Sequence, residues 1–215
     1  MRIKLIVWTL LTIISACFVK LTFGASIESV IQHSDPKVVK IGIVTDKGGG
    51  VCSGAFISST GIVLTCAHCF EHKGLKKIFI KTDNEKVFPA ALLAIDMKRD
   101  LALIVPDGLG PFPYFQLGTE PDRGQQVLSF GSPLGIQHVV TIGWVDKIVK
   151  QACIIIHSAF ISPGNSGGPL VDLRGRLIGV NEAMLEYGFL QVAQGLYLAI
   201  DIVSIKEFLR TAEAR

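Results

Sequence analysis

The chain has 215 residues, 49% hydrophobic and 18% charged, with a formal net charge of +3. That length and apolar content suit one large globular domain or two small ones and exclude a disordered chain. The positive excess lies in residues 1–24, which hold Arg2, Lys4 and Lys20 and no acid; without them 18 basic side chains face 18 acidic ones, and no basic stripe interleaved with aromatics marks nucleic acid as a partner.

In chain order, Arg2 and Lys4 precede an apolar run from Leu5 to Val19, followed by Lys20 and small residues near Gly24. This is the pattern of a secretory signal peptide over residues 1–24. The run has 15 residues, short of the roughly 18 of a spanning helix, so any membrane attachment is expected through this N-terminus alone. Ile14-Ser15-Ala16-Cys17 also resembles the box at which bacterial lipoproteins are cleaved and lipidated on cysteine. The apolar stretch continues past Cys17, which favours an ordinary residue inside the signal. The expected location is outside the cytoplasm, secreted or periplasmic.

Six short β-like runs follow, at Val38–Thr45, Val51–Ser58, Ile62–Thr65, Ile78–Lys81, Val87–Ala94 and Leu101–Val105. After PDGLGPFPYF, whose prolines and glycines suit a linker rather than a core element, a second six lie at Gln126–Phe130, Val139–Val145, Ala152–Ile156, Pro169–Val171, Leu177–Val180 and Gly195–Ile200. The pattern predicts an all-β fold of two packed six-stranded antiparallel β-barrels, with one larger sandwich as the alternative. The first barrel would occupy about residues 36–105, the linker 106–119 and the second barrel 120–201. Ile202, Ile205 and Leu209 at helical spacing predict a short C-terminal helix over about 202–212.

Three segments bear on chemistry. TCAHCF, Thr65 to Phe70, reads as part of a metal site with His72, as a redox C-x-x-C pair, or as a catalytic base, His68, beside structural cysteines. RDLAL places Asp100 at the mouth of an apolar strand. SPGNSGGP, Ser162 to Pro169, sets three glycines around Ser166, a pattern costly in regular structure. A glycine-rich turn explains it blandly; a nucleophilic serine explains it too, because the backbone must turn tightly while N–H groups converge on the developing oxyanion. Serine needs a base within reach, itself oriented by a carboxylate. Of the five histidines only His68 ends a β-like run.

The order His, Asp, Ser carried by TCAH, RDLAL and GNSGGP resembles the chymotrypsin fold and, within it, the HtrA (DegP-like) serine proteases; CSGAFISSTGIVLT, the Gly-Ser-Pro-Leu-Gly stretch and GRLIGVNEA extend the resemblance over Val38–Ile200. It implies His68 as general base, Asp100 as its orienting partner, Ser166 as nucleophile, and an oxyanion hole over Gly164, Asn165 and Ser166, all in a cleft between the barrels. Asn165 stands where digestive relatives carry an aspartate that pairs with a new N-terminus, so activation is expected from loop rearrangement around residues 157–163 instead. The usual peptide-binding PDZ domain is not expected within this chain, which leaves the protease domain only. Trimer formation is a family property whose contact residues are not identifiable here.

The resemblance also implies a Cys52–Cys69 disulfide, with Cys66 and Cys153 either bridged or free. No metal and no other cofactor is expected: the C-A-H-C cluster lacks the distant second pair of a structural zinc site, and a redox C-x-x-C belongs to a βαβ context missing here. The substrate pocket is placed at Phe160, Ile161, Asn181, Glu182 and Leu198, with Glu182 read as an exposed strand end. No acid stands where Arg or Lys would be selected, so cleavage is expected after small or medium aliphatic residues of unfolded or flexible protein. The partner is then a protein or peptide. Two competing readings are a catalytically silent peptide-binding or chaperone-like module using the same cleft and an esterase. Retention of all three triad residues speaks against the first. Against the second, an α/β-hydrolase puts its histidine last.

Overall fold

A computed structural model describes residues 26–71, 74–182 and 195–214. The expected signal segment with Cys17, and also His72 and Ala183, lie outside the described residues. Strands β1 (Val38–Thr45), β2 (Gly48–Phe56), β3 (Val63–Thr65), β4 (Leu75–Lys81), β5 (Val87–Asp96) and β6 (Leu101–Pro106) close a barrel in the order β1-β2-β3-β6-β5-β4. Strands β7 (Gln126–Gly131), β8 (Val139–Val149), β9 (Ile154–His157), β10 (Pro169–Asp172), β11 (Leu177–Glu182) and β12 (Tyr197–Asp201) close a second, in the order β10-β11-β12-β9-β8-β7. Each ladder pairs antiparallel, as in β3 on β6, where Leu64 faces Leu103. The two-barrel fold expected from the sequence is therefore the fold observed.

Apolar runs became strands where both faces are covered. The LALIVP of β6 is buried at five of its six residues, and Phe56, Leu64, Ile80 and Ile104 are fully buried in the first barrel beside Leu101. Val127, Leu128, Ile155 and Leu170 do the same in the second. Burying each such side chain contributes about 1.5–3 kcal/mol before entropy is charged against it.

Several boundaries differ from expectation, β4 starting at Leu75 and β8 running on to Val149 among them, and three departures have a clear physical reason. Strand β2 starts at Gly48, not Val51, because Thr45 and Val44 pair with Gly48 and Gly49; the ladder uses main-chain groups, so poor glycine propensity is overridden. Helix α1 (Ile27–Ser34) was not expected. Its signal is local: Ser26 caps it, accepting a hydrogen bond from the Ser29 N–H at 3.1 Å, and Val30 is buried. The Pro/Gly-rich connection also packs like core. Phe112 stacks on Phe56 at 4.8 Å, and Phe115, 1% exposed, donates its N–H to the Phe56 carbonyl. Turn composition described its backbone shape and hid its two buried aromatic rings.

Helix α2 (Ile202–Glu213) closes the described chain, capped by Asp201, whose carboxylate accepts from the Ser204 N–H at 2.8 Å. It buries Ile202, Ile205 and Phe208. From its outer face Glu207 reaches Arg99 at 3.0 Å, and Arg99 also pairs with Asp96 at 2.6 Å. The helix thereby touches the turn immediately before Asp100.

Candidate active site

The barrels face each other across an open cleft of about 820 Å³ whose wall includes His68, Asp100, Gly164, Ser166 and Glu182. His68 opens a single 3-10 turn, His68–Phe70, just beyond the buried strand β3. Asp100 sits one residue ahead of β6 with φ of 54°, a left-handed conformation that a non-glycine residue adopts at a cost. Three hydrogen bonds hold it there. Its carbonyl accepts from the Ala67 N–H at 3.1 Å, Oδ1 accepts from the His68 N–H at 2.7 Å, and Oδ2 meets His68 Nδ1 at 2.6 Å. With Nδ1–H directed at the carboxylate, the His68 Nε2 lone pair is the one left for a proton.

Burial draws the His68 imidazole down, but the hydrogen bond and charge of Asp100, with Glu182 and Glu71 behind them, outweigh it and leave the ring more basic than an ordinary histidine. Glu182 shows the opposite pressure on a carboxyl: burial first, then the charge of Asp100, push it up to about 7, against a smaller pull from His68.

Ser166 lies in the loop ahead of β10, and the glycines around it answer to space. Gly167, at φ of 85°, passes so close to Thr65 Oγ1 and the Ser53 carbonyl that a Cβ would collide with both. Gly164, at φ of 102°, would strike the Ser132 carbonyl. No side chain fits either position.

The loop is pinned to the first barrel by a residue the sequence reading passed over. Ser53, fully buried in β2, donates its N–H to the Ser166 carbonyl at 2.8 Å and its hydroxyl to the Gly164 carbonyl at 2.7 Å. Its hydroxyl also accepts from the Ser132 N–H at 2.8 Å, and its carbonyl accepts from the Thr65 hydroxyl at 2.8 Å. The only hint was a polar residue inside the apolar-ended run VCSGAF. Alongside, the Leu134 N–H donates to the Pro163 carbonyl at 3.0 Å. A trans peptide sets N–H opposite C=O, so the Gly164 N–H faces away from Leu134. Among the described residues neither the Gly164 nor the Ser166 N–H is taken by another main-chain group. Two unpaired donors flanking a serine hydroxyl are suited to a developing negative charge.

Cys52 and Cys69 form a disulfide with Cα atoms 6.4 Å apart, tying β2 to the residue after His68. Cys66 and Cys153 are both free, Cys66 buried and Cys153 exposed. Sγ of Cys66 lies within 4.8 Å of donor atoms of His68 and Asp100. The set suits a metal poorly: Nδ1 and Oδ2 are spent on each other, and burial pushes the thiol well up, keeping it protonated where a ligand must be a thiolate.

Of the five expected pocket residues, the cleft wall takes Glu182 and none of the other four. Phe160 is exposed and stands edge-on to Tyr197; Ile161 and Leu198 are buried. Asn181 is fully buried, and its amide donates to Ser129 Oγ at 2.9 Å inside the second barrel. Glu182 is not an exposed strand end but a half-buried wall of the cleft.

The profile of the trypsin-like peptidase domain matches residues 52–180. "Serine protease HTRA1B" of Danio rerio is 32% identical over 207 residues, covering 88% of this chain and 42% of that protein. A "Probable periplasmic serine endoprotease DegP-like" of Halomonas elongata is 36% identical over 137 residues, 60% of this chain and 28% of its own. The crystal structure of the serine endoprotease from Yersinia pestis superposes with a TM-score of 0.77 at 25% identity, over 87% of this chain and 66% of that one. The chain thus spans less than half the length of these curated relatives.

Proposed function

The chain belongs to the HtrA-like branch of the trypsin-like peptidase family, and from that premise we propose that it is a serine endopeptidase working through an acyl-enzyme on Ser166. The observation that carries this reading is the 2.6 Å His68–Asp100 pair sharing a cleft with Ser166 and two unpaired N–H groups. His68 Nε2 takes the Ser166 proton as the oxygen attacks the peptide carbonyl. The Gly164 and Ser166 N–H groups, held either side of Asn165, receive the oxyanion. His68 then passes the proton to the leaving amine, and water attacks the acyl-enzyme with His68 again as base. Asp100 stays ionised and fixes the imidazole.

The substrate in this reading is unfolded or flexible protein cut after small or medium aliphatic residues. The segment before the nucleophile, His157–Ile161, carries no acid, and its exposed side chain is the apolar Phe160. Export fits both the Cys52–Cys69 disulfide and the periplasmic relative. Purified protein lacking residues 1–24 should hydrolyse casein, and in a peptide library it should favour Ala, Val or Leu before the cut. Strong preference for Arg or Lys would overturn the specificity, and casein turnover undiminished in Ser166→Ala would overturn the mechanism.

A further inference from the structure

The cleft holds more negative charge than a His-Asp-Ser triad needs. Three carboxylates line it, from three different places: Glu71 after the His68 turn, Asp100 ahead of β6 and Glu182 at the end of β11. Among the described residues of the wall there is no lysine or arginine to offset them. Glu182 is firmly placed. Its main chain pairs with Leu198 of β12, and the carbonyl of the preceding Asn181 accepts both the Gly167 N–H at 2.9 Å and the Cys66 thiol at 3.4 Å. The strand end that bears Glu182 is thus tied to the loop of Ser166 and to the segment of His68.

The ionisable groups facing Glu182 come from each element packed there. Among the described residues they are Cys66 beyond β3, His68 on the following turn and Asp100 ahead of β6, with Glu71 lining the same cleft; β12 contributes the uncharged Leu198. Cys66, protonated by burial, carries no charge to neutralise it. His68 is therefore the one group in this set able to become positive.

We propose that Glu182 is a positioning carboxylate for the base, acting through His68 by favouring the imidazolium that forms when His68 accepts the Ser166 proton. This rests on the reading of His68 as general base. In that step the Ser166 Oγ–H bond breaks and its proton moves to Nε2. An oxygen lone pair forms the bond to the substrate carbonyl carbon, and the carbonyl π electrons move onto its oxygen. Positive charge appears on His68, where ionised Glu182 stabilises it and protonated Glu182 does not. In the free protein the same charge makes His68 hold its proton to higher pH, so the two groups titrate as a coupled pair. Plateau activity then demands that both have lost their protons.

The test reads His68 first and needs no catalysis. Imidazole resonances are titrated by NMR in Ser166→Ala protein with and without Glu182→Gln, His68 being assigned by its loss in His68→Asn. Glu182→Gln should lower the His68 midpoint by about one pH unit. With Ser166 restored, it should move the acid limb of kcat/KM down by a similar amount and lower plateau kcat about tenfold, a loss of the size expected when one charge contact made in the transition state is removed. Glu182→Asp should recover part of both effects. An unchanged His68 midpoint overturns the proposal, as does a change confined to KM for basic substrates, which would make Glu182 a substrate contact. A shifted midpoint in a protein that cleaves no peptide supports the Glu182–His68 coupling and contradicts the peptidase reading instead.

Discussion

Ser53 concentrates at one side chain the forces that shape the Ser166 loop. Its hydroxyl is donor to Gly164 and acceptor from Ser132, so Ser53→Ala orphans two main-chain groups, one buried and one part-buried, at a cost of about 1–3 kcal/mol in stability. Relaxation of Gly164 would misalign a proposed oxyanion donor. The expected result is a fall in kcat of about ten- to a hundredfold, below the loss seen when such a donor is deleted outright, with KM little changed. Steady-state kinetics on a short ester or peptide checks this split.

His157 makes a second prediction at this scale. It is fully buried, and among the described residues neither ring nitrogen has a side-chain partner, with only the main chain of Leu198 and Ala159 beside it. Burial pulls it down to about 4. The unfolded chain therefore takes up this proton first, and stability is lost as pH falls from about 6.5 to about 4, by on the order of 3 kcal/mol at most. Denaturant melts at pH 7 and pH 5 should show a larger drop for wild type than for His157→Gln. Neither Ser53 nor Glu182 announced its place at the cleft in the sequence, because Gly164 and Ser132 for the one, and His68 and Asp100 for the other, lie more than thirty residues away and only folding brings them together. His68, Asp100 and Ser166 could be singled out as candidates because local motifs carry them, and folding brings all three to one cleft.

Among the elements, strands with continuous apolar runs such as β6 were readable, since two covered faces leave no room for polar residues. Boundaries set by pairing were not, as the glycines at the start of β2 show. Helix α2 matters beyond its packing because Glu207 holds Arg99, the neighbour of Asp100. Losing that half-exposed pair should cost little, because solvent screens it, whereas Asp201→Ala removes the helix cap and should cost about 1–2 kcal/mol. Chemical denaturation of Glu207→Ala and Asp201→Ala should rank them in that order. The Cys52–Cys69 bridge, closing a separation of 17 residues, stabilises by about 3 kcal/mol on the chain-entropy account. Its reduction should lower the melting temperature and loosen the turn that carries His68.

At the scale of the molecule, neither barrel holds a complete site. The first supplies His68 and Asp100, the second supplies Ser166, and Ser53 joins them from β2. The two-barrel architecture could be read from twelve short runs around a Pro/Gly-rich break. The cleft between the barrels was expected from the family resemblance; the contacts that pin the Ser166 loop there were not, because the carbonyls of Gly164 and Ser166 that Ser53 holds carry no sequence signature. In the proposed reading this assembled cleft activates Ser166. The measurement that tests it most directly is labelling of the protein lacking residues 1–24 with a fluorophosphonate probe, located by mass spectrometry, in wild type, Ser166→Ala and His68→Ala. One adduct is expected, on Ser166, absent from Ser166→Ala and slowed by several orders of magnitude in His68→Ala, in step with the loss of about 10⁶ in turnover for such residues. An unlabelled but folded wild type, or an adduct that survives Ser166→Ala, would contradict it.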